Sequence, residues 1–132
     1  MDTYETTLKV SKEHLDDLNH VNNVHYVQWV QNIAKAHWQK NAPEAIQSKY
    51  FWVLITHFIE HKAEALLNDL IQVKTYIAKN EGVTCVRIVE IFNKTTNKLL
   101  AKSETKWCFI TSKTKRPTRI TQEIKNLFSI SS

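Results

Sequence analysis

The sequence predicts an α+β fold, one long helix packed with an antiparallel sheet, and three observations carry that prediction. Between Val24 and about Gln39 apolar side chains recur at helical spacing; beyond Tyr50 the period falls to two; and the alternating segments are joined by connections too short to hold crossover helices.

Residues from about Tyr4 to Val10 alternate weakly and read as a first strand, which ends in a polar turn rich in Asp, Asn and His. The helix follows. Val27, Val30 and Ala34 make one apolar line along it, Tyr26, Val30, Ile33 and His37 a second, and Trp29, Ile33 and Ala36 a third, with only Lys35 fully charged. A helix apolar on so many sides is expected to be wrapped by other structure at the centre of the domain. Pro43 stops it or begins a second short turn. In the next strand Val53, Ile55, His57, Ile59 and Ala63 are expected on one face, against Leu54, Thr56, Phe58, Glu60 and Lys62 on the other. Asp69 opens a further strand, closed by the turn Lys79-Asn80-Glu81-Gly82; another runs from Val83 to Phe92, and the last from Leu99 to Thr111. A short helix is expected near Gln122 to Phe128. The order strand, helix, then four strands suggests an antiparallel meander with a segregated helix.

At 132 residues, 42% hydrophobic and 23% charged, the chain is expected to be a single domain over 1–132, large enough to bury about two thirds of the surface its unfolded form exposes. Asp2 and Glu5 stand where a leader would be basic and apolar, and no run nears the roughly 20 apolar residues of a membrane span, so a cytoplasmic location away from membranes is expected. Cys85 and Cys108 lack metal-type spacing and read as reduced thiols. The net charge of +5 permits an anionic partner. Much of the excess falls in Lys113, Lys115, Arg116 and Arg119, which is either a solubilising segment or a phosphate contact. No nucleic-acid recognition motif accompanies that charge, so nucleic acid is not an expected partner.

Gly82 is the only glycine. Dinucleotide and phosphate-binding loops require several, so both are excluded, as are the GxSxG elbow and the kinase signature. His57-Phe58-Ile59-Glu60-His61 matches the inverted zinc-protease pattern. On a helix its histidines would share a face; on the strand that Val53, Ile55, Thr56 and Ile59 favour, they stand about 13 Å apart, too far for one metal, and no metal or other cofactor is expected.

The densest chemistry lies in Asp16-Asp17-Leu18-Asn19-His20-Val21-Asn22-Asn23-Val24-His25-Tyr26. Part of it reads as a helix cap, with Asn22 or Asn23 accepting backbone N–H bonds. Two acids, a histidine and the amides beside them exceed what a cap needs, and free N–H groups at a helix start can polarise a carbonyl.

Asp16, then His20-Val21-Asn22-Asn23, then Tyr26 and Trp29 resemble the signature of the hotdog-fold acyl-CoA thioesterases related to 4-hydroxybenzoyl-CoA thioesterase, and are also similar to acyl-ACP thioesterases. The resemblance implies a five-stranded antiparallel sheet wrapped around a long central helix, and hydrolysis of an acyl-CoA or acyl-ACP thioester. It makes Asp16 the catalytic carboxylate, as nucleophile or general base. It matches His20 and Asn23 to motif positions that shape the turn and orient substrate or water, and puts an oxyanion-binding N–H near Asn23. Asn19 stands where these enzymes often have Gly, and Asn tolerates the left-handed backbone such a turn uses. Asn22, Tyr26 and Trp29 are candidates for substrate contact, with Trp38, Trp52 and Trp107 lining either an acyl pocket or plain core. Arg87, Lys113, Lys115 and Arg116 are candidates to meet the nucleotide phosphates of CoA. The family further implies a homodimer or homotetramer with sites at the interface. The competing reading is a non-catalytic acyl-CoA-binding or regulatory protein of the same fold, which need not keep an acid at Asp16.

Overall fold

A computed structural model describes residues 2–128. The elements run β1 (Tyr4–Lys9), a single 3-10 turn (Lys12–His14), α1 (Asn23–Asn41), α2 (Glu44–Lys49), β2 (Tyr50–His61), β3 (Leu70–Glu81), β4 (Thr84–Asn93), β5 (Lys98–Thr111), a two-residue β6 (Arg116–Pro117) and α3 (Gln122–Asn126). The antiparallel sheet has the order β1-β3-β4-β5-β2, with β6 added on β5. It curls over α1 in the hotdog arrangement the resemblance implies.

Two expectations about strands need correction. Only β3, β4 and β5 form a meander, because β2 lies on the far side of β5 rather than beside β3. The segment from Lys62 to Asp69 makes that crossing. Its first N–H groups donate to Leu100 in β5, and Asn68 donates to Val10 beyond β1, so it runs across the end of the sheet and satisfies its backbone at both sides. In β2 a bulge between Leu54 and Thr56 breaks the alternation: Leu54 pairs with Trp107 and Thr56 with Lys106, leaving Ile55 unopposed. Val53 and Ile55 therefore face outward, 46% and 50% exposed, while His57 and Ile59 turn in.

The helix is also buried differently from expectation. Tyr26, Trp29, Val30, Ile33, Ala34 and His37 are buried at spacings of three and four. Gln28, Gln31, Asn32 and Lys35 make an exposed opposite stripe, so the sheet covers one side of α1. Tyr26, Trp29, Val30 and Ile33 meet Ile71, Val73, Val89, Ile91 and Leu100 in one core cluster. A second, around Phe109, Ile120 and Ile124, packs against Trp38, Tyr50 and Trp52.

Cys85 and Cys108 are free thiols. Cys85 stands opposite Trp107 and Cys108 opposite Thr84, so their side chains leave opposite faces of the sheet. Burial pushes the Cys85 thiol up to about 11, which keeps it protonated and unreactive.

The helix is tied to both ends of the chain by a polar network. The Arg87 guanidinium donates to His37 Nδ1 at 2.9 Å, and His37 Nε2 lies 2.6 Å from Asp2 Oδ2. Because arginine only donates, Nδ1 must accept, and the proton of the neutral ring sits on Nε2. Asn41 Nδ2 adds donors to Asp2 Oδ2 and to the Leu127 carbonyl. Burial, then the Arg87 charge, hold the His37 pKa down despite the bond to Asp2. For Asp2, burial acts upward, but the bonds from His37 and Asn41 outweigh it and leave its carboxyl below the ordinary value.

A pH dependence of stability follows. Burial also lowers the His57 pKa, so two histidines stay neutral in the fold at pH values where they protonate in the unfolded chain. The unfolded state then binds more protons, and stability falls as pH drops below the ordinary histidine value of 6.5. Thermal unfolding at stepped pH should show a falling midpoint from about pH 7 to pH 5. A flat or rising midpoint over that window would contradict the assignment.

Candidate active site

The residues between β1 and α1 fold into a tight loop whose ends meet at an isolated bridge between Leu15 and Val21. The Asp16 N–H donates to the His20 carbonyl at 2.7 Å, and the Asn19 N–H to the Asp16 carbonyl at 3.0 Å. Asn19 adopts φ 62, the left-handed conformation the sequence reading assigned to it. Asp16 Oδ1 accepts from the N–H groups of Leu18 at 2.9 Å and His20 at 3.0 Å. These bonds hold the carboxylate in one orientation. Asp16 is half-buried and Asp17 exposed, which separates two acids that the sequence left side by side.

Asn22 is the N-cap of α1, its Oδ1 accepting from the Val24 N–H at 3.2 Å. That is the capping role, so its side chain is committed to the helix. Asn23 is the first residue of α1, and its N–H is among those a helix leaves without an internal acceptor. Its side-chain oxygen instead receives the His61 Nε2 proton at 2.8 Å.

Asp16, His20, Asn23 and Tyr26 line one pocket of about 430 Å³, together with His61 and Glu64 from the end of β2 and the loop beyond it. Tyr26 is 4% exposed, and its hydroxyl accepts the Ala65 N–H at 3.1 Å. Burial pushes its phenol pKa up, so the hydroxyl keeps its proton. The ring meets His61 edge-on at 4.9 Å and Trp29 at 5.2 Å. Trp29 is buried behind Tyr26 and supports that ring from the core side. His20 Nδ1 lies 3.4 Å from Glu64 Oε1 at the rim.

His61 and Glu64 are the site residues that sequence reasoning missed. A signal was present, since His61 belongs to the HxxEH segment, but that segment was considered only for zinc. The strand places its two rings on different partners: His57 is hydrogen-bonded to Ser103 Oγ at 2.9 Å, and His61 to Asn23. Among the described residues no cluster of three His, Cys, Asp or Glu side chains has the arrangement to hold a metal ion.

The cationic candidates lie elsewhere. Lys113 and Lys115 are exposed on the turn between β5 and β6, and Arg116 is exposed at the start of β6; on that turn the Ser112 N–H donates to the Lys49 carbonyl beside the start of β2. His61 ends that same strand, so this turn and the Asp16 pocket stand about 36 Å apart along it. Arg87 is 5% exposed and walls a separate cavity on the other part of α1.

Comparisons with known proteins bear on the family and the fold. The sequence matches the family described as acyl-ACP thioesterase N-terminal domain over residues 1–128. No curated protein sequence gives a match. Among solved structures, the chain is similar to the probable thioesterase YbaW from Escherichia coli, with TM-score 0.80 and 21% identity, covering 93% of this chain and 94% of that one. It is similar to the 1,4-dihydroxy-2-naphthoyl-CoA thioesterase Slr0204 from Synechocystis, with TM-score 0.81 and 17% identity over 96% and 95% of the two chains. A third is the hypothetical protein SAV2348 from Staphylococcus aureus, solved in complex with CoA, with TM-score 0.83 and 15% identity over 95% and 80%. At these identities the shared property is the fold.

Proposed function

Because the chain belongs to the acyl-ACP thioesterase N-terminal domain family, we propose that it hydrolyses an acyl thioester, carried on CoA or acyl carrier protein, to free acid and thiol at the Asp16–Tyr26 turn. The observation that carries this reading is the half-buried Asp16 carboxylate, oriented by two backbone N–H groups and sharing its pocket with the start of α1.

A thioester carbonyl laid against the first turn of α1 meets the Asn23 N–H and the positive end of the helix dipole, where negative charge develops during attack. Loss of one such donor typically costs about 3 kcal/mol of barrier. Asp16 then attacks the carbonyl carbon to give a mixed anhydride that water hydrolyses, or it takes a proton from the attacking water. In either route the thiolate leaves and is protonated from solvent. The Tyr26 hydroxyl, held by the Ala65 N–H, and the His61–Asn23 pair line the same pocket as Asp16.

The same reading includes a homodimer. Among the described residues β2 pairs with β5 alone, which leaves its other edge open, and Phe51, Val53, Ile55 and Phe58 on it are 37–64% exposed. An open edge with an apolar row invites another strand. Two-fold pairing of β2 with its copy is antiparallel, so the 113–116 turn of one copy approaches the Asp16 pocket of the other. That turn supplies the cations that the phosphates of CoA need. Sedimentation should give a dimer or larger, and Ile55→Lys should shift it toward monomer with loss of activity; a monomeric, fully active wild type would remove the dimer from the mechanism.

The function itself is tested by thiol release from short, long and aromatic acyl-CoA substrates and from an acyl-ACP. Release from one class carries the reading. Tight acyl-CoA binding with no thiol release from any of them would instead mark a binding protein.

A further inference from the structure

A second cavity lies apart from the one at Asp16. It has a volume of about 520 Å³ and is walled by Trp38 of α1, Trp52 of β2, Ile77 of β3, Trp107 of β5 and Phe128. On α1 its wall begins at Gln28, about 8 Å along the axis from Asn23, and extends about 15 Å to Trp38. Among the described residues lining it there is no Asp or Glu, and the two charged groups are Lys35 and Arg87.

Arg87 is 95% buried, yet among the described residues no carboxylate contacts it: Asp2 is reached only through the His37 ring. Its Nη1 is committed to Thr75 Oγ1 and His37 Nδ1, both at 2.9 Å. Its Nε and Nη2 make no hydrogen bond to a described residue, and Arg87 lines the cavity. The Phe128 ring flanks the guanidinium at 5.8 Å. Burial pulls the Arg87 pKa down to about 10, which leaves the charge in place at neutral pH. A buried cation lacking a direct counter-ion is costly. Its open N–H fork fits a carboxylate in a bidentate pair.

Resting on the thioesterase reading, we propose that this cavity holds the acyl group of the substrate and that Arg87 pairs with a carboxylate at its far end, making thioesters of ω-carboxy acids the preferred substrates. The aromatic walls contact the apolar middle of such a chain. Arg87 is then a specificity residue.

The test uses the whole protein and two readouts. Tryptophan fluorescence should report decanoate, whose carboxylate can reach Arg87, binding about tenfold or more tighter than methyl decanoate, which has no anionic end. Thiol release should favour hexadecanedioyl-CoA, whose chain is long enough to span the roughly 21 Å from Asn23 to the level of His37, over hexadecanoyl-CoA in kcat/KM by a similar factor. Arg87→Gln should remove both preferences, and Ala34→Leu, which fills the cavity from the helix side, should weaken decanoate and its methyl ester alike. Both wild-type comparisons need no variant to fold. Equal binding of decanoate and its ester, or equal turnover of the two thioesters, overturns the proposal while hydrolysis itself stands. Arg87-dependent decanoate binding without hydrolysis of any thioester supports the cavity and overturns the thioesterase reading beneath it.

Discussion

Asp16→Asn is expected to lower kcat for thioester hydrolysis by about a thousandfold or more, with the melting temperature nearly unchanged. Asparagine keeps a side-chain oxygen for the N–H groups of Leu18 and His20, so the loop retains the bonds that orient this position. What it loses is the negative charge. An amide neither attacks a carbonyl nor accepts a proton from water, so both candidate routes fail together. Asp17→Asn is the matched control: Asp17 is exposed on the same loop, outside the pocket, and should keep its activity. Full activity in Asp16→Asn, measured by thiol release at saturating substrate, would take the chemistry away from this carboxylate.

Phe109→Ala should have the largest effect on stability, about 3–5 kcal/mol. Phe109 is fully buried, with its ring 4.5 Å from that of Tyr50 and 4.7 Å from that of Trp52. It holds the second core cluster, in which Ile120 and Ile124 pack the end of the chain against the sheet. Removing the ring leaves a void whose lining loses contacts on one side. For a chain of this size the loss corresponds to a midpoint about 10–20 °C lower in thermal unfolding. A shift within a few degrees would mean that Tyr50 and Trp52 collapse into the space, and that this cluster is less tightly packed than its burial implies.

Much of this architecture was legible in the residues. The period change beyond Tyr50 marked β2 to β5, and the helical spacing from Val24 marked α1 within two residues at each end. Those signals are local: side chains alternate on a strand and recur every three or four residues on a helix wherever the element sits. The Asp16–Tyr26 spacing was legible for the same reason, since a loop closed by its own backbone bonds carries its geometry in a few consecutive residues. The left-handed Asn19 is part of that local code.

What was not legible depended on contacts between distant residues. The bulge at Ile55 arises from the register between β2 and β5, which no alternation within β2 encodes, and it reverses which residues face outward. His61 and Glu64 reach the pocket because the end of β2 returns beside the start of α1, some forty residues away in sequence. The placement of Arg87 inside a cavity, rather than on a phosphate-facing surface, likewise follows from β4 lying under α1 and from His37 above it. By itself, then, the sequence determined the elements, the hotdog resemblance and the acid at the turn, because each is written in short-range pattern. The tertiary structure alone decided that Asp16 is sheltered and Asp17 is not, which side of α1 is covered, and where a buried cation opens, because burial and register are set by what folds back from elsewhere in the chain.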